Sequence, residues 1–233
     1  IDESFKLRIG KFLTPFSRWN LLHAAPLVWT SSRPMVTEGF VAAKHATGLE
    51  FFYKTSVFDR DLNLAIFADD SKDLEINESL DSFSYAFGGR VDYQLSPSFN
   101  IAGSYIAHKK EQQTSPSWQH TVGVDFLWKK NEYELQFEGF YNSIDQGDDR
   151  YGLYLQAVTP IVDKLFAVGR YEYMVAETEL LSVNNSIEPI HLGIIGLTWR
   201  PKSPLAVKVE YRFGQNNNSY APSGVLSSVA LFF

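Results

Sequence analysis

Twelve short stretches of this chain alternate apolar and polar side chains with a period of two, and that repeat limits the fold more than any other feature. In 205–213, Leu205, Val207, Val209, Tyr211 and Phe213 share one face of an extended strand, and Lys208, Glu210 and Arg212 share the other. In 132–141, Tyr133, Leu135, Phe137 and Tyr141 oppose Glu134, Gln136 and Glu138. In 82–95, Phe83, Tyr85, Phe87, Val91 and Tyr93 oppose Arg90, Asp92 and Gln94. Further matches at 4–12, 46–58, 61–69, 98–110, 117–129, 150–161, 164–175, 188–200 and 224–233 bring the expected count to about twelve strands, an even number.

The connections alternate in length. Short ones fall at 59–60, 96–97, 130–131, 163 and 201–204, and longer polar ones at 70–81, 111–117, 144–149, 176–187 and 216–223. Short turns on one side and long loops on the other predict an all-β, transmembrane, antiparallel up-and-down barrel with 1–233 as a single domain. The competing fold is a soluble sandwich, in which the same apolar faces form a core. Aromatic placement favours the barrel. Trp128 and Trp199 stand next to short turns, and Tyr171, Tyr173 and Tyr211 lie on the apolar face nearer the other rim. Aromatics make up 15% of the chain, which suits two interfacial girdles. No run of about eighteen apolar residues exists, so a membrane-spanning helix is excluded, whereas a spanning strand needs only alternate apolar positions. The last stretch, 224–233, alternates and ends on Phe233, an ending expected to be read by the barrel assembly machinery and to let the last strand pair with the first. No secretory signal is visible ahead of the first strand pattern, so the sequence reads as mature or trimmed.

Composition removes several chemistries. There is no cysteine, hence no thiolate metal site, thiol catalysis or disulfide. Net charge is −6 with no basic patch, which leaves nucleic-acid binding without support. None of the five histidines pairs with another ligand at metal spacing, and no cofactor is expected.

The charged faces point into the expected lumen. Lys6, Arg8, Lys54, Arg90, Lys129, Arg170, Arg200, Lys208 and Arg212 nearly balance Glu50, Asp92, Asp125, Glu134, Glu138, Glu172 and Glu210. Two compatible readings follow: a salt-bridge network holding the wall, or a polar pore with opposed charge strips at a constriction. Segment 13–45 is the anomaly. It is long, not of low complexity, and carries Phe16, Arg18, Trp19, His23, Trp29 and Arg33. A connection that long and that apolar is expected to fold into or over the mouth and narrow it, the alternative being packing on the outside or on a partner. The candidate pore-lining and constriction residues are therefore Arg8, Arg18, Arg33, Lys54, Arg90, Asp92, Asp125, Glu134, Glu138, Arg170, Glu172, Lys208, Glu210 and Arg212.

The run from Lys6 to Asn20, KLRIGKFLTPFSRWN, resembles a segment of the phosphate-selective porin O and P type of bacterial porins, and 45–53 and 62–70 resemble the strand pair after it. The resemblance covers roughly 5–70. It implies an outer-membrane diffusion channel, often trimeric, with a constriction loop. The chain departs by having about twelve expected strands where that family has sixteen, and by lacking an Arg/Lys ladder, so phosphate specificity does not carry over. Arg18 and Arg33 are the loop positions nominated for anion contacts.

Two weaker motifs complete the reading. His120 falls on the lipid-facing phase, with Ser143 on the neighbouring strand, the minimum for an outer-membrane hydrolase, although a catalytic pair also needs an orienting third group. Acidic stretches at 69–78 and 145–149 read as solvated loops, or as sites for divalent cations bridging to lipopolysaccharide. The expectation is a non-enzymatic channel in a bacterial outer membrane for passive diffusion of small hydrophilic solutes or ions. A plugged barrel that scaffolds a partner protein comes second, and a hydrolase third. Expected partners are outer-membrane lipid and lipopolysaccharide, the assembly machinery through Phe233, and a second copy or partner protein.

Overall fold

The computed structural model describes residues 4–22, 24–37, 44–70, 83–110, 117–145, 147–175, 189–202, 205–215 and 221–231. Twelve strands follow in chain order: β1 (Phe5–Leu13), β2 (His45–Val57), β3 (Arg60–Asp69), β4 (Phe83–Ser96), β5 (Phe99–Lys110), β6 (Gln119–Lys130), β7 (Tyr133–Ile144), β8 (Arg150–Val162), β9 (Leu165–Val175), β10 (Ile190–Lys202), β11 (Leu205–Gly214) and β12 (Gly224–Leu231). They form one sheet in which every strand bonds its neighbours in sequence, the order of an up-and-down meander. Among the described residues the pairing does not return from β12 to β1, so the expected closure is not seen there. Phe233 lies outside the described residues. So do 71–82, 111–116, 176–188 and 216–220, which hold most of the long connections.

Observed strand ends fall close to the expected ones. β7 runs furthest beyond, to Ile144, because the alternation continues: Asn142 is buried beside Gln119, and Ser143 turns the other way. The β2–β3 connection is the two-residue turn Phe58–Asp59, with φ of 52° and 57°. Two successive left-handed residues match the right-handed twist of the flanking strands.

The described residues fall into two compact units. The first holds β1–β5, most of β6, the end of β7, and the loop residues up to Leu21. Its buried face is polar, with Glu50, Asp69, Arg90, Ser104, Thr121 and Asp125, while Phe87, Val91, Tyr105, Val122 and Val124 are exposed. The second holds β8–β12, the ends of β6 and β7 that meet at their turn, and the described loop residues 22 and 24–37. There Gln156, Arg170, Glu172, Lys208 and Glu210 are buried, and Leu155, Ile195, Leu197, Val209 and Phe213 are exposed. In both units the polarity is inverted relative to a water-soluble protein. Apolar side chains on the exposed face and charges on the covered face are the arrangement of a wall standing in lipid.

In the second unit, register fixes which covered side chains are neighbours. Gln156, Arg170, Ile194 and Arg212 form one row across β8–β11. Val168, Gly196 and Glu210 form the next, and Phe166, Thr198 and Lys208 the one after. This places Arg170, Glu210 and Lys208 in successive rows under a single stretch of loop.

Candidate functional site

The site is built by the long β1–β2 connection lying against the polar face of the sheet. Its neck is closed by the Thr14 N–H, which donates to the Lys44 carbonyl at 3.0 Å. Asn20 Nδ2 clamps both sides of the neck, donating to the carbonyls of Thr14 at 2.9 Å and Lys44 at 3.0 Å. Within the described residues the loop holds a short helix, α1 (Arg18–Leu22), and a 3₁₀ turn at Met35–Thr37. The backbone N–H of Asn20 donates to Ser17 Oγ at 3.3 Å, a side-chain cap for α1.

In the first unit the helix delivers Arg18 to the sheet. Its Nε donates to Asp125 Oδ1 at 2.9 Å, and its terminal nitrogen reaches Asp92 at 3.4 Å and also bonds Asn100. Arg90 approaches the same carboxylates, meeting Asp125 at 2.5 and 3.0 Å and Asp92 at 3.4 Å. Asn100 Nδ2 donates to the other Asp92 oxygen at 2.6 Å. Two guanidinium groups and two carboxylates cancel in charge and are nearly all withdrawn from solvent. Phe16 packs on Phe140 at 5.4 Å between ring centres and seats the base of the helix.

In the second unit the wall grips the loop mainly by its backbone. Glu210 accepts from the N–H of Ser31 at 2.8 Å and of Ser32 at 3.0 Å, one oxygen each. Glu172 accepts from the Met35 N–H at 2.5 Å and from Arg170 Nε at 2.7 Å. Arg170 also donates to Thr30 Oγ1 at 2.6 Å, the Ser32 carbonyl at 3.0 Å and Ser32 Oγ at 2.8 Å. Lys208 Nζ donates to the carbonyls of Ala25 at 2.6 Å and Thr30 at 3.2 Å. Charge-assisted bonds to backbone groups are stronger than neutral ones and leave few loop peptides unsatisfied.

Trp29 is the apolar anchor. Its indole lies 4.9 Å from the Phe166 ring and packs on Val158 and Val168. The Arg200 guanidinium stacks 3.5 Å from its ring centre, and Nε1 donates to Glu134 at 2.9 Å. Thr198 Oγ1 holds the Trp29 carbonyl at 2.6 Å. The 3₁₀ turn packs against β8 and β9, where Gly152 makes room for it. A Cβ on Gly152 would stand 2.6 Å from Val36 Cγ1.

The nominated residues thus divide. Arg18, Arg90, Asp92 and Asp125 form one cluster, and Arg170, Glu172, Lys208, Glu210 and Glu134 bind the loop. Arg33 donates within the loop, from Nε to Thr37 Oγ1 at 3.0 Å. Glu138 is fully buried with Gln136 at 3.2 Å and Tyr154 at 2.5 Å, and neither of these two bonds joins it to the loop. Arg8 pairs with Glu50 at 2.7 Å and Lys54 with Asp61 at 2.9 Å, both cations largely exposed. Arg212 keeps a buried Nε without a hydrogen-bond partner among the described residues. Residues not nominated from sequence, Asn20, Asn100, Ser31, Ser32 and Thr198, complete the site. The polar run Thr30-Ser31-Ser32, rich in small side chains that leave backbone N–H groups accessible, is the signal that marks two of them. His120 accepts or donates at Nδ1 with Tyr105 Oη at 2.8 Å and lies beside Trp118, as a rim aromatic does. Among the described residues no group of three acids or histidines is placed to hold a metal ion.

A sequentially ordered antiparallel sheet, apolar where exposed and charged where covered, defines the outer-membrane β-barrel class. Solved structures agree on the fold. An in-vitro folded OmpT of Vibrio cholerae, in its trimer form, superimposes with a TM-score of 0.63 at 10% identity, over 97% of this chain and 74% of that one. An anion-selective porin of Comamonas acidovorans gives 0.62 at 13%, over 97% and 69%, and the outer-membrane channel DcaP of Acinetobacter baumannii gives 0.61 at 12%, over 96% and 69%. No protein-family model matches the chain, and no curated protein sequence matches it.

Proposed function

We propose that the protein is an outer-membrane channel, one barrel domain in a bacterial outer membrane, that passes small hydrophilic solutes or ions by diffusion past a constriction formed by the β1–β2 loop. The observation that carries this reading is the capture of the loop backbone by wall carboxylates, foremost Glu210 on the N–H groups of Ser31 and Ser32. A segment bonded along the charged face sets the width and charge that a solute meets. The porin and channel folds it resembles support the same role, as does the likeness of 5–70 to phosphate-selective porins. Phosphate preference has less support, because Arg18 faces Asp92 and Asp125 and Arg33 turns to Thr37. Folding through the assembly machinery at Phe233 and association with a second copy belong to this proposal.

The number of bonds from loop to wall also favours a second reading, a plugged barrel that scaffolds a partner. Single-channel conductance in a planar bilayer separates the two, comparing the wild type with a variant lacking 18–35. Stable ohmic steps that grow on deletion support the constricted channel. Equal steps from both would remove the constriction, and a silent wild type that opens only on deletion would favour the plug.

A further inference from the structure

The exposed face of the second unit carries a depression whose lining also includes Glu134, Val158 and Val168, which hold Trp29 from the covered side. It measures about 750 Å³, within the size range of small-molecule sites. Its floor is Ala157, Ala167 and Gly169, and its flanks are Leu135, Ile195 and Leu197. These positions alternate with the covered ones, so the hollow opens on the lipid side of the wall. A Cβ on Gly169 would meet nothing within 4 Å. Small residues there leave a recess among larger exposed neighbours such as Leu155, Ile195, Leu197 and Tyr211.

The recess runs toward the short-turn rim, where Trp128 and Tyr133 line it. Just beyond stand three exposed lysines: Lys130 at the end of β6, Lys164 in the β8–β9 turn and Lys202 at the end of β10. Lys130 continues the outward phase of Trp128, and Lys202 pairs with the outward Leu205. Three acidic groups, Glu132, Glu134 and Asp163, share this rim with Lys129, Lys130, Lys164 and Lys202. Asp163 stands 3.6 Å from Lys164, Glu134 neutralises Lys129 at 3.6 Å, and Glu132 is exposed. Among the described residues Lys130 and Lys202 have no carboxylate within 4.0 Å. Adjacent strands are about 4.8 Å apart, so along the sheet Lys164 stands about 7 Å from Lys202 and about 12 Å from Lys130, roughly one Debye length or less from each.

From this arrangement, and resting on the membrane-barrel reading above, we infer that the recess and its basic rim bind one anionic glycerophospholipid, an acyl chain in the recess over Gly169 and the phosphate at Lys164 between Lys130 and Lys202. Apolar area holds the chain, and lysines near the headgroup select negative charge.

The test is native mass spectrometry of the detergent-purified protein with an equal mixture of phosphatidylglycerol and phosphatidylcholine. Heat-modifiable migration on gels checks the barrel fold of every variant independently. The wild type is expected to retain phosphatidylglycerol about fivefold or more over phosphatidylcholine. Gly169→Leu, whose Cβ meets nothing within 4 Å, places a side chain in the recess and is expected to lose both adducts. The surface triple variant Lys130→Gln, Lys164→Gln and Lys202→Gln is expected to retain both lipids equally. Equal retention by the wild type, or adducts unchanged in both variants, would overturn the proposal. A change of oligomeric mass in Gly169→Leu with lipid adducts intact would overturn it too, in favour of a second copy on this face. Loss of heat-modifiability in the wild type would instead strike at the barrel reading itself.

Discussion

Arg18 Nε meets Asp125 Oδ1 at 2.9 Å, joining residues 107 positions apart in the chain. The pair ties the loop helix to β6, and Arg90 binds the same carboxylate from β4 through two further bonds. Asp125 is therefore shared, and its two cations are unequal in what they lose with it. Without Asp125, the two buried guanidinium groups lose the carboxylate they share most closely and keep Asp92 at 3.4 Å, with Asn100 also on Arg18, whereas without Arg18 the carboxylate still has Arg90.

Asp125→Asn is accordingly expected to destabilise the protein by about 3–5 kcal/mol, the cost of uncompensated buried charge. Arg18→Gln is expected to cost clearly less. Urea midpoints in lipid vesicles measure both, and a double-mutant cycle gives the coupling. Equal losses from the two single variants would contradict the shared-carboxylate geometry.

Glu210→Gln keeps one acceptor and loses the charge that holds two consecutive loop N–H groups. The expected penalty is about 1–3 kcal/mol, taken mostly by the loop rather than the sheet. In single-channel records this should show as larger or fluctuating conductance, with heat-modifiable migration preserved. Unchanged, quiet records would mean that residues 31–32 do not lie at the narrowest point.

Trp29→Ala removes the ring that packs on Phe166, Val158 and Val168 and that carries the Arg200 guanidinium. A truncation of this size in a packed site costs about 3–5 kcal/mol. Trp29→Phe restores the packing but not the bond to Glu134, and should recover most of the urea midpoint. Recovery confined to variants that keep an indole N–H would assign the anchor to the hydrogen bond.

Gly152→Val forces methyl groups toward Val36 and is expected to cost about 1–3 kcal/mol by overpacking. Protease cleavage between residues 33 and 37 should rise if the 3₁₀ turn is what yields. Adding Val36→Ala should restore part of the loss, since the Tyr173 carbonyl, 2.8 Å from the new Cβ, remains crowded. An additive double variant would show that the two side chains do not compete for one space.

The strands were legible because alternation is a local property. Leu205, Val207 and Val209 face one way and Lys208 and Glu210 the other in any extended chain of that sequence, and the short turns at 58–59, 97–98, 131–132 and 163–164 impose antiparallel order on the strands they join. The loop's length and aromatic content likewise marked it as packed against something. What sequence could not supply was pairing across the fold. Arg18 and Arg33 read equally well as anion contacts, yet α1 places one against two aspartates and the 3₁₀ turn holds the other beside Thr37. Glu138 and Glu210 occupy the same phase in similar strands, yet one ends among Gln136 and Tyr154 and the other grips the Ser31 and Ser32 backbone. Period and turn chemistry depend on residues a few positions apart, so the sequence determined the strands and the face each charge occupies. The partner a charge finds between loop and wall lies 74 to 183 residues away, as with Arg18 and Asp92 or Lys208 and Ala25, and only the packed loop and the sheet register decide it.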